Sequence, residues 1–258
     1  MAAKKKKDTT TMDVLELTVK TLEVNIVGTS PLIFNAMSEK VRKEILFPSQ
    51  KKSRAEKENT LKHDPVAEYR ASVYRETGED AETRLILPGG GVKSCIMQAG
   101  VDVPGAAKAA LGRLVQVVET TVPVWGVPQL HMAVVRMAGQ SRAPDIRTRA
   151  ILPQWCARFH VRFVTPNLNA ETVARLIAAS GMLVGLGDYR PEKGKGSFGQ
   201  FRIADAEEDA EVARIKKMGG REAQDTGLEN PTPFDHETEA LLEFFNAEVK
   251  RRGFKVAS

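Results

Sequence analysis

Three stretches of the chain have the residue types and spacing to hold phosphate. The run WCARFHVRFV (155–164) alternates with period two. Trp155, Ala157, Phe159, Val161 and Phe163 point one way, and Cys156, Arg158, His160 and Arg162 point the other. That pattern predicts a strand with one core face and one cationic face. The run GLGDYRPEKGKGSFGQFRI (185–203) interleaves Gly185, Gly187, Gly194, Gly196 and Gly199 with Arg190, Lys193 and Lys195. Successive glycines leave backbone N–H groups able to face an anion, and basic neighbours supply charge-assisted bonds. Tyr189 and Phe198 offer stacking faces, with a core position as the alternative for Phe198. The third stretch, Gly139 to Thr148, reads as a loop with Arg142, Arg147 and Arg149 in or beside it. A sheet face and loops of this chemistry suit single-stranded nucleic acid.

Other chemistries are poorly represented. PGGGVKS and RPEKGKGS both lack the P-loop spacing, and Arg190 stands where a dinucleotide fingerprint needs its third glycine, so no nucleotide cofactor is expected. His63, His131, His160 and His236 form no HxxxH or HExxH pair, and no serine sits in a GxSxG elbow. Asp145 and Asp188 lie beside arginines and read as structural ion-pair partners. No catalytic residue and no metal site is expected. His160 is a candidate phosphate or base contact, with a satisfied surface histidine as the alternative.

The elements that must position these residues are partly legible. Net charge is +5 over 258 residues, with 42% hydrophobic residues, which allows a real core and permits a polyanionic partner. Cys95 and Cys156 are too few for a disulfide framework or a four-thiolate zinc site and read as buried thiols, so a reducing, cytoplasmic location is expected. Residues 1–12 read as a disordered basic tail without the apolar stretch of a secretory signal. VLELTVKTLEVNIVG alternates as one long or two short strands. RLILPGGGVKSCIMQAG (84–100) reads as strand, glycine turn, helix. Residues 105–120 begin helical and turn strand-like. Asn169 caps a helix striped by Val173, Leu176 and Ile177 and stopped by Gly181, and SFGQFRI then returns as a strand. Beyond Ala204 an acidic segment leads to an amphipathic helix over 235–251, with Leu241, Leu242, Phe244, Phe245 and Val249 available for docking.

Three segments, in order, resemble the RAMP superfamily, the RNA-binding proteins of CRISPR effector complexes. EVNIVGTSPLIF (23–34) resembles its opening strand with a Ser-Pro-Leu end. LILPGGGVKSCIMQAG (85–100) resembles its strand-to-helix motif, Ile-Pro-Gly-Ser-Ser-Leu-Lys-Gly. The 185–203 run resembles its glycine-rich loop before the final strand. The chain departs from that pattern in the glycines of PGGGVKS, in Ser94, and in the inserted DYRPEKGK. The resemblance implies an α+β fold with a ferredoxin-like, RRM-type antiparallel sheet, helices on one face and inserted elements. The core would span 13–204 with insertions near 37–61 and 123–150, followed by the 205–258 segment. It also implies a non-catalytic subunit that assembles along RNA, alone or in a multi-subunit complex, with Lys93 near the phosphate backbone and Gly185, Gly187, Gly194, Gly196 and Gly199 shaping the binding loop. A phage-encoded relative acting on single-stranded DNA fits the same residues. An RNA-processing nuclease and a subunit that binds only protein are the alternatives.

Overall fold

The computed structural model describes residues 15–47, 61–136, 143–193, 196–205 and 209–254. The N-terminal alternation forms β1 (Thr18–Gly28), and WCARFHVRFV forms β9 (Cys156–Thr165). The two pair antiparallel along almost their whole length, from Thr18 opposite Thr165 to Val27 opposite Cys156. On the far side of β1, β10 (Phe201–Ala204) pairs only with Asn25–Gly28. On the far side of β9 lie β5 (Val115–Val117) and β6 (Thr121–Trp125), followed by β4 (Leu85–Pro88) and β3 (Tyr74–Arg75). The sheet runs β10-β1-β9-β6-β4-β3, with β5 also on β9, and every described pairing in it is antiparallel.

The helices α3 (Gly89–Asp102) and α5 (Ala170–Leu183), with the short α4 (Lys108–Leu114) between them in sequence, pack on each other and cover one face of this sheet. Val92, Ile96, Val173 and Ile177 meet Val24, Ile26, Phe159 and Val161 there, all buried. The Asn169 side chain accepts from Thr172 N at 2.8 Å, as a cap should. Among the described residues the opposite face is covered at one end, where Val212 and Ile215 of α6 (Ala210–Met218) pack on Val27, Trp125, Cys156 and Ala204. Both cysteines are buried free thiols, pushed up to about 12 by that burial.

A second sheet, β2-β8-β7, joins β2 (Leu32–Ile33), β8 (Pro144–Leu152) and β7 (Gln129–Arg136). The loop expected up to Thr148 is therefore strand from Pro144 onward. Ile146, Thr148 and Ala150 turn inward between Arg147 and Arg149, and pairing with β7 supplies the backbone bonds that a polar loop would have sought from water. Three further boundaries differ from expectation, the first being that α5 runs through Gly181, where a Cβ would stand 2.1 Å from Phe201 O, to Leu183. The glycines after Pro88 form the first turn of α3 itself, and SFGQFRI becomes strand only at Phe201.

Before the core sequence resumes, α1 (Glu39–Leu46) and α2 (Pro65–Ala71) occupy parts of 37–71. The 1–12 tail and residues 48–60 of the proposed insertion lie outside the described residues. After α6 come α7 (Arg221–Glu229) and α8 (His236–Arg252). In α8, Leu241, Leu242 and Val249 pack inward, while Phe244 stays 67% exposed instead of docking.

Gln224 fastens α7 to the main sheet. Its Oε1 accepts from Arg84 N (2.7 Å) and Leu85 N (2.9 Å), and its Nε2 donates to the carbonyls of Val124 (2.7 Å), Gly219 (2.9 Å) and Gly126 (3.2 Å). The side chain is fully buried, and beside it the Arg84 guanidinium forms a two-bond pair with Asp225. Among the described residues no helix is long and apolar enough to cross a membrane.

Candidate nucleic-acid interface

The α3 entry and the glycine run meet at one cleft of about 420 Å³, which Asn35 and Tyr74 also line. Asn35, just past β2, forms one side. Pro88, Gly91 and Ser94 of the α3 entry form another, and residues 184–188 with Arg190 and Lys193 form the third. The volume falls within the range of ordinary ligand sites.

The glycine run is stitched into this position by its own backbone. Gly185 N donates to Ser180 O (2.9 Å), Leu186 N to Gly199 O (2.9 Å), Asp188 N to Ile33 O (2.9 Å) and Gly199 N to Pro31 O (2.7 Å). Gly199 has φ +73°, and a Cβ there would stand 1.7 Å from Leu186 O. Much of the glycine content thus serves to fold the loop back on itself and onto the β2 entry. Arg190 joins the same work, with Nε and Nη2 donating to Glu192 Oε2 (2.9 and 2.6 Å) and Nη1 to Gly187 O (2.8 Å). Cys95 Sγ lies 3.3 Å from Gly185 O and ties the loop to α3.

The α3 entry differs. Pro88 occupies the N-cap position and no side chain caps the helix. Gly89 N donates to Thr120 O at 2.8 Å, and a side chain built at Gly90 or Gly91 would meet nothing within 4 Å. An uncapped helix start beside open space favours negative charge. Lys193 is 62% exposed and its nearest carboxylate, Glu192, is 3.8 Å away. Lys93 is half-buried on α3, and Tyr189 is half-exposed with its ring 6.2 Å from Phe198.

The other expected residues fall into two further groups. Arg147 and Arg149 project from β8, and Arg149 forms an ion pair with Asp188, which anchors the hairpin to the glycine loop. Arg142, Gly194 and Lys195 lie outside the described residues, while Gly196 closes tightly on Tyr189 O. Arg158, His160 and Arg162 occupy the sheet face opposite α3 and α5, so they do not share the cleft. Arg158 Nη2 approaches Glu82 at 3.3 Å and its guanidinium lies 5.8 Å from the Trp125 ring centre. Arg162 is exposed, with no ion-pair or hydrogen-bond partner among the described residues. The two surfaces approach each other at residues 119–120, since Thr120 O holds Gly89 and Glu119 holds His160.

Sequence reasoning missed Glu119. It fills the break between β5 and β6, accepting from His160 N (2.9 and 3.0 Å) and contacting His160 Nδ1 at 2.5 Å. Burial opposes its ionisation, but the His160 backbone and ring contacts outweigh it and hold the carboxyl below the usual glutamate range. Its folded pKa is therefore depressed. The stabilisation is present above the ordinary value of about 4.3 and is lost as pH falls through the folded pKa. Glu119→Gln is expected to cost roughly 1–2 kcal/mol at neutral pH, with the gap to wild type closing in acid. Urea midpoints taken across the acid range check this.

His131 was also missed as part of this region. Its ring lies 6.4 Å from Phe198 and edge-on to Phe234 at 5.7 Å. Burial lowers its pKa, and among the described residues its Nδ1 has no hydrogen-bond partner, the Asp235 carboxylate standing 3.7 Å away. Among the described residues no group of three or more His, Cys, Asp or Glu side chains is arranged to hold a metal ion. Comparison with protein-family models and with curated proteins finds no match for the chain.

Proposed function

We propose that the protein binds single-stranded nucleic acid without cleaving it, through a ferredoxin-like core of the RAMP type. The strand order supports this reading of the core. Taken in chain order, β1, α3, β5/β6, β9, α5 and β10 give a βαββαβ path with spatial order β10-β1-β9-β5/β6 and both helices on one face. The observation that carries the functional reading is the convergence of two distant segments, 88–95 and 184–193, with Asn35 beside them, on one cleft. Its uncapped helix start and exposed Lys193 suit a phosphodiester chain, and Tyr189 offers a stacking face at its margin.

The test is anisotropy with labelled single-stranded RNA, single-stranded DNA and duplex DNA over a salt series. Single strands are expected to bind in preference to duplex. In Lys93→Glu/Lys193→Glu, affinity is expected to fall, and the slope of log K against log salt to become shallower by about 1.4, two phosphate contacts at 0.7 each. An unchanged slope and affinity removes the cleft from the interface.

A second reading rests on His160. A histidine gripped on one side by Glu119, with Glu23 at 3.5 Å from Nε2 and Arg158 and Arg162 on the same strand face, has the parts for acid–base cleavage of RNA. Site-specific cleavage of labelled RNA that survives EDTA and disappears in His160→Ala would favour it.

A further inference from the structure

The main sheet carries an unpaired edge. β10 covers β1 only at Asn25–Gly28, so Thr18 to Val24 have β9 on one side and no described strand on the other. Backbone direction along this stretch follows from the flanking bonds. Gly28 N donates to Trp155 O, just before β9, whereas Thr29 N donates to Gln200 O on the β10 side. In an antiparallel ladder the direction alternates with each residue. Val19, Thr21 and Glu23 therefore aim their N–H and C=O groups away from β9, and none of these groups has a hydrogen-bond partner among the described residues. The side chains of the three are exposed, and Leu15 and Leu17, which precede them with the same parity, are 72% and 61% exposed. An edge with bare backbone groups is a template for another strand.

We propose that two copies of the chain pair antiparallel through this edge, Thr21 against Thr21 across a two-fold axis, so that the two main sheets become continuous. The bare run is symmetric about Thr21, and this selects both the partner and the register. With Thr21 on the axis, Val19 faces Glu23 of the second copy and Lys20 faces Leu22. Each edge-directed N–H and C=O of the three residues then finds a mate, and no like charges stand opposite. Sliding by two residues one way places Lys20 against Lys20, which is repulsive. Sliding the other way sets Val19 against Asn25, whose edge β10 already occupies. An isologous contact of this kind closes on itself at β1, and β3 becomes the outer strand at each end of the joined sheet.

The test uses the full chain freed of nucleic acid at high salt. Sedimentation across a concentration series is expected to show a monomer–dimer equilibrium. Thr21→Pro removes the edge-directed N–H twice by symmetry and spares the bonds to β9. It should weaken dimerisation roughly thirtyfold while circular dichroism and thermal midpoint stay near wild type, because proline is tolerated on an edge strand. Cross-linking reads the register independently of that variant. Cys95 and Cys156 are buried, so an introduced thiol is the reactive one. Thr21→Cys should couple to itself under mild oxidation or with a short bis-maleimide, across Cα atoms about 5.5 Å apart. Val19→Cys mixed with Glu23→Cys should couple better than either variant alone. A monomer at every concentration overturns the proposal. So does a dimer that Thr21→Pro leaves intact, or one in which Glu23→Cys couples best with itself.

Discussion

Gln224→Ala is expected to destabilise the protein by about 4 kcal/mol or more. The substitution removes the partner of the Leu85 N–H, which is buried, of the half-buried Arg84 N–H, and of the carbonyls of Val124 and Gly126, while Gly219 O keeps its bond from Gly126 N. Each buried polar group left unpaired costs about 1–3 kcal/mol, and water entering the gap recovers only part of it. Set against a total stability of about 5–15 kcal/mol, the loss threatens the fold at physiological temperature. Gln224→Glu should be nearly as harmful, because a carboxylate keeps the acceptors for Arg84 and Leu85 but turns oxygen toward three carbonyls. Urea unfolding measures both. Thr226→Ala, on the same helix but exposed, is the matched control and should stay within about 0.5 kcal/mol of wild type.

Gly199→Ala should cost about 3 kcal/mol and open the wall of the cleft. Two effects add there. The left-handed backbone alone costs an L-residue roughly 1–2 kcal/mol, and the new methyl would stand 1.7 Å from Leu186 O, a backbone atom that cannot swing aside. Gly185→Ala separates the two. Its φ is +75°, but its nearest neighbour is the Pro191 side chain at 3.1 Å, so about 1 kcal/mol is expected, mostly conformational. Amide exchange at Leu186 and Gly199, which are joined to Gly199 O and Pro31 O, should accelerate strongly in Gly199→Ala and only slightly in Gly185→Ala.

The parts of the structure that were legible in the sequence are those with local causes. β9 shows its two faces by alternation alone, and α5 announces its start at Asn169 and its buried stripe at Val173 and Ile177. β8 was hidden because Pro144, Arg147 and Arg149 outweighed the inward Ile146, Thr148 and Ala150 within a short window. The partners of the basic residues were hidden for a different reason. Asp188, Glu119 and Glu82 reach Arg149, His160 and Arg158 through the fold, from distant parts of the chain. Nothing near position 224 in sequence marks that glutamine, because its bonds go to β4, β6 and the turns around them. The glycines of the 185–199 loop could be recognised as special. Whether they face a ligand or their own loop depends on where residues 31–33 arrive.

The pairing of β1 with β9 also fixes an order of events during synthesis. β1 is complete at Gly28, but the strand that takes up its backbone bonds along its whole length ends at Thr165. At about 5–20 residues per second the ribosome needs roughly 7–30 s to bridge that interval. For that time Val24, Ile26 and Val27 belong to a nascent segment with no mate. The first strand made is thus among the last to be secured. Strand-binding chaperones should therefore engage nascent chains stalled before residue 156 and release those in which β9 has cleared the exit tunnel, an outcome that crosslinking from position 24 can read.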